Sequence, residues 1–382
     1  MEQKKYMVNV RCITFNQSRF ITDAMNGFVM QETNFPYVCT IIDDASIDGE
    51  QEVIRKYLEE YFDFEDKSVA HNENTDDYVL CFARHKTNKN CYFAVLFLKY
   101  NHYSIKKTKL PYFVEWQANS KYTSTCEGDD FWINPHKLQK QVDFMESHPN
   151  YSLCHGDVIY YNSDTKTTIG RRGKKADYKK RKPYRTNKEI FNRIVEGDYG
   201  AIYLTYLVRN ICLYRRKKND VRLIMGDLPL LLDMSQEGLI KYLPDVFGVY
   251  RIHQGSVTHQ SPQRNRRFAL NGMEMLVYYC KKYSYKVPLS LKYRYNKAYL
   301  NILMNNDSFS IKPLYPPFKL PLFNPYTTSK GIPRVIYTRI VSPLTRCVDA
   351  VCMRVDNLKC KWQNRHVCEL HWDDEKKKVV EG

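Results

Sequence analysis

Two acidic runs stand where apolar, β-type stretches stop. Asp43-Asp44 follows Tyr37 to Ile42, and Glu127-Gly128-Asp129-Asp130 follows Tyr122 to Cys126. Carboxylates gathered in one place repel each other, and a bound divalent cation relieves that repulsion. Oxygen donors suit Mg2+ or Mn2+, which keep coordination positions open for substrate phosphates. A metal held this way neutralises a diphosphate as charge develops on it. A third acid, Asp227, lies in Met225-Gly226-Asp227-Leu228-Pro229-Leu230. On its residues alone it reads as a helix cap, since Asp with Pro close behind is a common helix start.

The elements around these acids must bring them together. Met7 to Phe15 is rich in β-formers and ends at Thr14-Phe15-Asn16. Ser18 to Gln31 turns helical, with Ser18 as N-cap and Phe20, Ala24, Phe28 and Met30 on one apolar side. Tyr37 to Ile42 is a short apolar run suited to a buried parallel strand. Ala45-Ser46-Ile47-Asp48-Gly49 is turn chemistry, and Val53, Ile54, Tyr57, Leu58 and Tyr61 resume helical spacing. Strand, helix, strand, helix predicts a parallel sheet with right-handed crossovers. Ligands of such sheets bind outside the carboxyl ends of the strands, where both acidic runs fall.

Further along, Cys91 to Leu98 reads as a strand, and Lys106, Lys107 and Lys109 as an exposed basic segment. Asn134-Pro135 predicts a helix start, with Leu138, Val142 and Met145 on the buried face. Ala201 to Tyr214 is mixed, a helix opens near Asp227 and runs toward Glu237, and Val246 to Ile252 is a late strand. Residues Phe268 to Asn305 are helical in pattern, and the chain from Lys312 is Pro-rich, then basic and irregular.

With 43% hydrophobic residues the chain of 382 supports a sizeable core and excludes wholesale disorder. The formal net charge is +17, which favours polyanions, anionic lipid surfaces or phosphate-bearing substrates without choosing among them. Arg171 to Arg185 holds nine Lys or Arg and one acid. The 12 cysteines are scattered without zinc-ribbon spacing; Cys360, His366, Cys368 and His371 cluster, but ordinary thiols are the better reading. Neither a secretory leader nor a membrane span is visible, which leads us to expect a cytoplasmic chain with reduced thiols.

Val10 to Gly49 resembles the start of a family 2 glycosyltransferase of the GT-A fold. Thr14-Phe15-Asn16, Gln31-Glu32-Thr33 and Ile41-Ile42-Asp43-Asp44-Ala45-Ser46-Ile47-Asp48-Gly49 carry the likeness. Cys126-Glu127-Gly128-Asp129-Asp130-Phe131-Trp132 resembles the family's metal-binding motif, and Met225 to Leu230 its base-bearing segment. Val249-Tyr250-Arg251-Ile252-His253-Gln254-Gly255-Ser256 resembles its closing arm, and the pieces occur in family order.

The resemblance implies an α/β fold: a GT-A, Rossmann-like, mostly parallel sheet flanked by helices, with a C-terminal helical extension. Residues 1–260 would be the transferase domain and 261–382 the extension with its basic tail. A nucleotide-sugar donor, with UDP as carrier, would meet Thr14, Phe15, Asn16, Asp43, Asp44, Glu127 and Arg251. Phe15 would stack on the base and Asp43 accept from the uracil imino N–H. Mn2+ or Mg2+ would sit on Asp129, Asp130 and His253. Asp227 would be the catalytic base of a single inverting displacement through an oxocarbenium-like transition state. Phe15 departs from the family's usual Tyr, and Glu127 from its usual Asp. The longer stretch 64–122 and the basic segment 171–185 are additions that suit an anionic acceptor, a saccharide or lipid-linked phosphate sugar, at the inner membrane face. Ile336 to Val355 mixes apolar residues with Arg in a way that suits a membrane surface.

Three other readings compete with this one. A nucleotidyltransferase would carry a Gly-rich basic phosphate loop where this chain has Thr-Phe-Asn-Gln-Ser. A nucleic-acid-binding protein is permitted by charge, but the aromatics are not interleaved with the basic runs, so nucleic acid is not an expected partner. Acids at 43, 129, 130 and 227 argue against an inactive relative.

Overall fold

A computed structural model describes residues 5–171, 186–197, 199–217, 219, 221, 225–255, 261–305, 313–318, 370–373 and 378–381. The first half runs β1 (Tyr6–Thr14), α1 (Ile21–Val29), β2 (Tyr37–Asp43), α2 (Glu50–Tyr61), β3 (Phe62–Asp63), β4 (His71–Asn74), β5 (Tyr78–His85), β6 (Cys91–Leu98), α3 (Pro111–Ala118), β7 (Ser120–Thr125) and β8 (Phe131–Trp132). Then come α4 (Lys137–Ser147), β9 (Tyr151–Asn162), β10 (Thr167–Arg171), α5 (Asn187–Glu196), a 3-10 turn (Tyr203–Thr205), β11 (Leu207–Arg209), α6 (Asn210–Tyr214) and α7 (Asp227–Glu237). β12 (Leu239–Ile252), α8 (Pro262–Lys282), α9 (Leu289–Met304), β13 (Leu370–Asp373) and β14 (Lys378–Glu381) complete the described elements.

The architecture is the expected α/β type: one large sheet flanked by helices. Its main path runs β3-β5-β6-β2-β1-β7-β11-β9-β12-β8. The central four strands β6-β2-β1-β7 are parallel. Antiparallel pairs border them on both sides, and a further parallel pair joins β9 to β12. β2 is buried along its whole length, as a strand between parallel neighbours with helices on both faces must be. The chain leaves β1 through α1 to β2 on one side and returns much later as β7 on the other. β1 is therefore the switch point of the parallel strands, and a crevice opens beyond its carboxyl end.

Several local expectations are corrected. Helix α1 begins at Ile21, and Ser18 does not cap it; its N–H instead donates to Asp48 Oδ2 at 3.0 Å. α4 begins at Lys137, because Asn134 Oδ1 accepts the His136 N–H (3.0 Å) and so forms a turn ahead of the helix. The stretch 64–122, illegible in sequence apart from β6, places β4 on β5, β5 on β6, and α3 over β7, β1 and β2. Of its lysines, Lys109 is not an exposed cation: it is largely enclosed and pairs with Asp44 at 2.6 Å.

Two cores result. One lies between the central strands and α1, α2 and α4. The other joins α5, α7, α8 and α9 to strands of the β9 side: α8 packs on α7, the helix that begins at Asp227, and α9 packs on α8 and α5. The cysteines among the described residues are free thiols, all buried apart from half-buried Cys81. No helix among the described residues is long and apolar enough to cross a membrane. Most of the basic segment 171–185, the tail including 336–355, and Cys360, His366 and Cys368 lie outside the described residues.

Candidate active site

The crevice is built first by two turns latched together. β1 and β2 pair as far as Thr14 and Asp43, and the Asp44 N–H donates to the Thr14 carbonyl (3.0 Å). Asn16 takes a left-handed backbone conformation, φ 53°, which Asn tolerates better than most residues. Its N–H donates to Ser46 Oγ and its side-chain oxygen accepts from the Ile47 N–H, each at 2.9 Å. Glu50 was not singled out in the sequence, yet it is fully buried and binds both turns at once. It accepts from Thr14 Oγ1, the Gln17 N–H (2.9 Å) and Ser46 Oγ (2.8 Å). Thr14 and Asn16 thus hold the loop shape, while the Phe15 side chain stands out of it, 42% exposed.

Asp43 and Asp44 have different occupations. Asp44 accepts the His102 N–H (2.8 Å), the Tyr103 N–H (3.2 Å) and Lys109 Nζ (2.6 Å), tying down the loop before α3. Asp43 uses only Oδ1, which accepts from the Ser46 N–H (3.1 Å) and Gln51 Nε2 (2.6 Å). Its Oδ2 is buried with no hydrogen-bond partner. Burial raises its pKa above the ordinary carboxylate value, against the pull of Ser46 and Gln51. A buried acceptor without a donor carries a desolvation cost that a ligand N–H would relieve.

The second acidic run folds as a turn against the end of β1. Gly128 donates its N–H to the Ile13 carbonyl at 3.3 Å, and a Cβ at Gly128 would lie 2.4 Å from Thr14 Oγ1 and 2.6 Å from Gln17 Oε1. Only glycine lets the turn come this close. Burial, then the charges of Asp129 and Asp227, push the Glu127 carboxyl up to about 8, so it carries a proton at neutral pH. Asp130 is buried, its pKa raised by burial and by Asp129 and Glu127, and its Oδ1 accepts the Arg251 N–H at 2.8 Å. Asp130 therefore faces β12 rather than the crevice.

Arg251 is placed as a brace. Its guanidinium lies between the rings of Phe20 and Phe131, 4.6 Å from each centroid. It donates to the Asp129 carbonyl (2.7 Å) and pairs with Asp23 (2.7 Å). The fork that sequence reasoning aimed at a phosphate is thus engaged within the protein. His253 does reach the acidic turn, with Nε2 3.2 Å from Asp129 Oδ2. Its Nδ1 accepts the Gly255 N–H at 3.2 Å.

Among the described residues no three acidic, imidazole or thiol groups converge as a ready-made metal cage. Asp129 and His253 still fit a metal that takes its remaining ligands elsewhere. Adjacent donors around an octahedral cation with ligands at about 2.1 Å lie about 3 Å apart, close to this pair's separation. Asp130, the third predicted ligand, is turned to the Arg251 N–H instead.

Across the crevice, Asp227 is exposed at the first turn of α7 and caps nothing; the N-cap position is Gly226 and no side chain caps this helix. Its charge reaches Glu127 and the Tyr203 hydroxyl. Burial, then the charges of Glu127 and Asp227, raise the Tyr203 pKa far above its ordinary value, against the pull of Arg11 and Arg216. Neither Arg11 nor Tyr203 was visible as a site residue in sequence, because each sits inside a run that reads as ordinary strand or mixed structure.

No family model matches the chain. It is 25% identical over 266 residues to "Uncharacterized protein Rv1520" of Mycobacterium tuberculosis (strain ATCC 25618 / H37Rv) and to "Uncharacterized protein Mb1547" of Mycobacterium bovis. Each match covers 68% of this chain, and the chain spans about 63% of the length of these relatives. Among solved structures it is similar to S. aureus TarS 1-349, with TM-score 0.45 and 14% identity, covering 78% of this chain and 73% of that one. TarS 1-349 has also been solved in complex with UDP and with UDP-GlcNAc. It is also similar to the mannosyltransferase PcManGT from Pyrobaculum calidifontis in complex with GDP-Man and Mn2+, with TM-score 0.44 and 11% identity, covering 80% and 77%.

Proposed function

We propose that this chain is a metal-dependent, inverting glycosyltransferase using a nucleotide-sugar donor. One observation supports the reading: the end of β1 is shared by an exposed aromatic ring, Phe15, a buried carboxylate oxygen lacking a donor, Asp43 Oδ2, and the turn that carries the Asp129–His253 pair. A nucleoside diphosphate satisfies all three. Its base stacks on Phe15, its imino N–H supplies Asp43, and its diphosphate completes the ligand set on Asp129 and His253. Uracil, thymine and guanine all carry such an N–H, and the likeness of the Asp43 segment to a uracil-reading position favours UDP among them.

Asp129 and His253 would hold the metal, and the imidazole favours Mn2+ over Mg2+. When bound, such an ion supplies Lewis-acid stabilisation of a diphosphate leaving group. Asp227 takes the proton of an acceptor hydroxyl as that oxygen attacks the anomeric carbon; the bond from that carbon to the diphosphate breaks, and the nucleoside diphosphate departs. Thr14, Asn16 and Glu50 keep the donor loop in shape, and Arg251 and Asp130 hold the arm that carries His253. Residues 1–260 form the transferase unit, and 261–382 an extension whose helices support α7.

The test is calorimetric titration with UDP, with and without Mn2+, for wild type and Asp129→Ala. Metal-dependent UDP binding lost in the variant is the expected result. Binding of GDP instead of UDP would change the donor and keep the reaction. If no nucleotide binds with or without metal, the reading is wrong.

A further inference from the structure

The acceptor side of the crevice holds a cation with no acid. Arg11 points from β1 to the face opposite the main core, next along that face to Ile13, which is 39% exposed. Its Nη2 donates to Gln117 Oε1 of α3, and its guanidinium lies 4.9 Å from the centre of the Phe113 ring. Its Nε is buried with no acceptor, and no carboxylate pairs with it among the described residues. Tyr203 from the 3-10 turn, Tyr214 from α6 and Arg216 just beyond it lie within electrostatic reach of this guanidinium. Tyr214 also bonds Gln117, so four segments converge on one spot. Arg216 donates from Nε to Asp233 at 2.7 Å, but Asp233 is shared with Lys282, which leaves that trio with a net positive charge.

A guanidinium held against apolar walls by one neutral partner is costly unless an anion completes it. The same spot adjoins Asp227, the proposed base, through Tyr203, which senses both Arg11 and Asp227. We propose that Arg11, Tyr203, Tyr214 and Arg216 form an oxyanion subsite for the acceptor, so that the hydroxyl receiving the sugar belongs to a phosphate-bearing molecule. The assignment of the subsite to the acceptor rests on the transferase reading; the anion site itself does not. Arginine supplies a planar fork for a phosphate, and the tyrosine hydroxyls supply further donors. The phosphate belongs either to a soluble polyol or sugar phosphate or to a lipid headgroup.

The test uses the full chain preloaded with UDP and Mn2+, titrated with glycerol 3-phosphate and, in a second arm, sedimented with phosphatidic acid vesicles beside phosphatidylcholine vesicles. Wild type binds one of the two phosphate probes. Arg11→Gln weakens that binding about tenfold or more, the loss of a charge-assisted contact, with UDP affinity unchanged. Arg11→Lys, which keeps the charge, retains part of it and controls for folding. Binding of the soluble probe marks a free acceptor, and binding to phosphatidic acid alone a lipid-borne one. The proposal is overturned if wild type that binds UDP takes neither probe, or if Arg11→Gln binds as tightly as wild type. Failure to bind UDP removes the transferase reading, while Arg11-dependent phosphate binding would still stand as an anion site.

Discussion

At the scale of single residues, the candidate site depends on side chains that have been left incompletely satisfied and on one that has been left out. Asp43 Oδ2 and Arg11 Nε are buried without partners on opposite sides of β1. Gly128 has no side chain because Thr14 and Gln17 occupy the place of one. Gly128→Ala is expected to push the 127–130 turn away from β1, weakening Mn2+-dependent UDP binding at least tenfold and costing about 1–3 kcal/mol of stability by overpacking. Calorimetry and thermal melting measure the two effects separately. Unchanged UDP binding in a folded variant would show that this turn does not carry the donor site.

At the scale of elements, the sequence was most informative where one physical pattern acted alone. β2 is an unbroken apolar run because both its faces are covered, and α4 shows Leu138, Val142 and Met145 at helical spacing. The acidic runs were legible because carboxylates at strand ends have few uses. What was not legible depended on long-range pairing: the β4–β6 antiparallel ladder, the burial of Glu50, and the engagement of Arg251 with Asp23 far away in sequence. Lys137 is of the same kind. It opens α4 in a position that reads as surface, yet it is buried, donating to Ser124 Oγ and Gln141 Oε1 (2.8 Å each) with its ammonium 3.9 Å from the centre of the Trp132 ring. Burial pulls its pKa down to about 7 from the ordinary 10.5. A base whose folded pKa is depressed destabilises the fold fully below that pKa, and the penalty eases as pH rises toward the unfolded value. Between pH 7 and 9 wild type is expected to gain about 2 kcal/mol relative to Lys137→Met, measured by urea unfolding at each pH. Parallel pH profiles would contradict the buried amine.

At the scale of the whole molecule, the C-terminal helices and the site meet through Asp233. This carboxylate of α7 is almost fully buried and accepts from Arg216 Nε (2.7 Å), Lys282 Nζ (2.9 Å), Tyr279 (3.2 Å) and Tyr283 (2.6 Å). Two of those partners belong to α8, and Tyr283 follows directly at its C-terminal end. Asp233→Ala leaves Lys282 enclosed without its carboxylate and is expected to cost about 3–5 kcal/mol. Asp227→Ala, on the exposed first turn of the same helix, should cost under about 0.5 kcal/mol while removing the proposed base. Denaturation curves of the two variants check the contrast, and equal losses would contradict it.

The Arg251 brace also bears on the order in which the molecule can assemble during synthesis. Glu127, Asp129 and Asp130 emerge from the ribosome long before Arg251, which joins their turn to α1 through Asp23 and the Asp129 carbonyl. Until β12 arrives, three neighbouring acids stand together without that counter-charge, and the parallel centre lacks its far border. Local pairs such as β5 and β6 can form early, whereas contacts spanning this much chain are entropically late. The crevice is thus among the last parts of the chain to be completed, and on the proposed reading donor binding waits until the segment carrying Arg251 and His253 has been made.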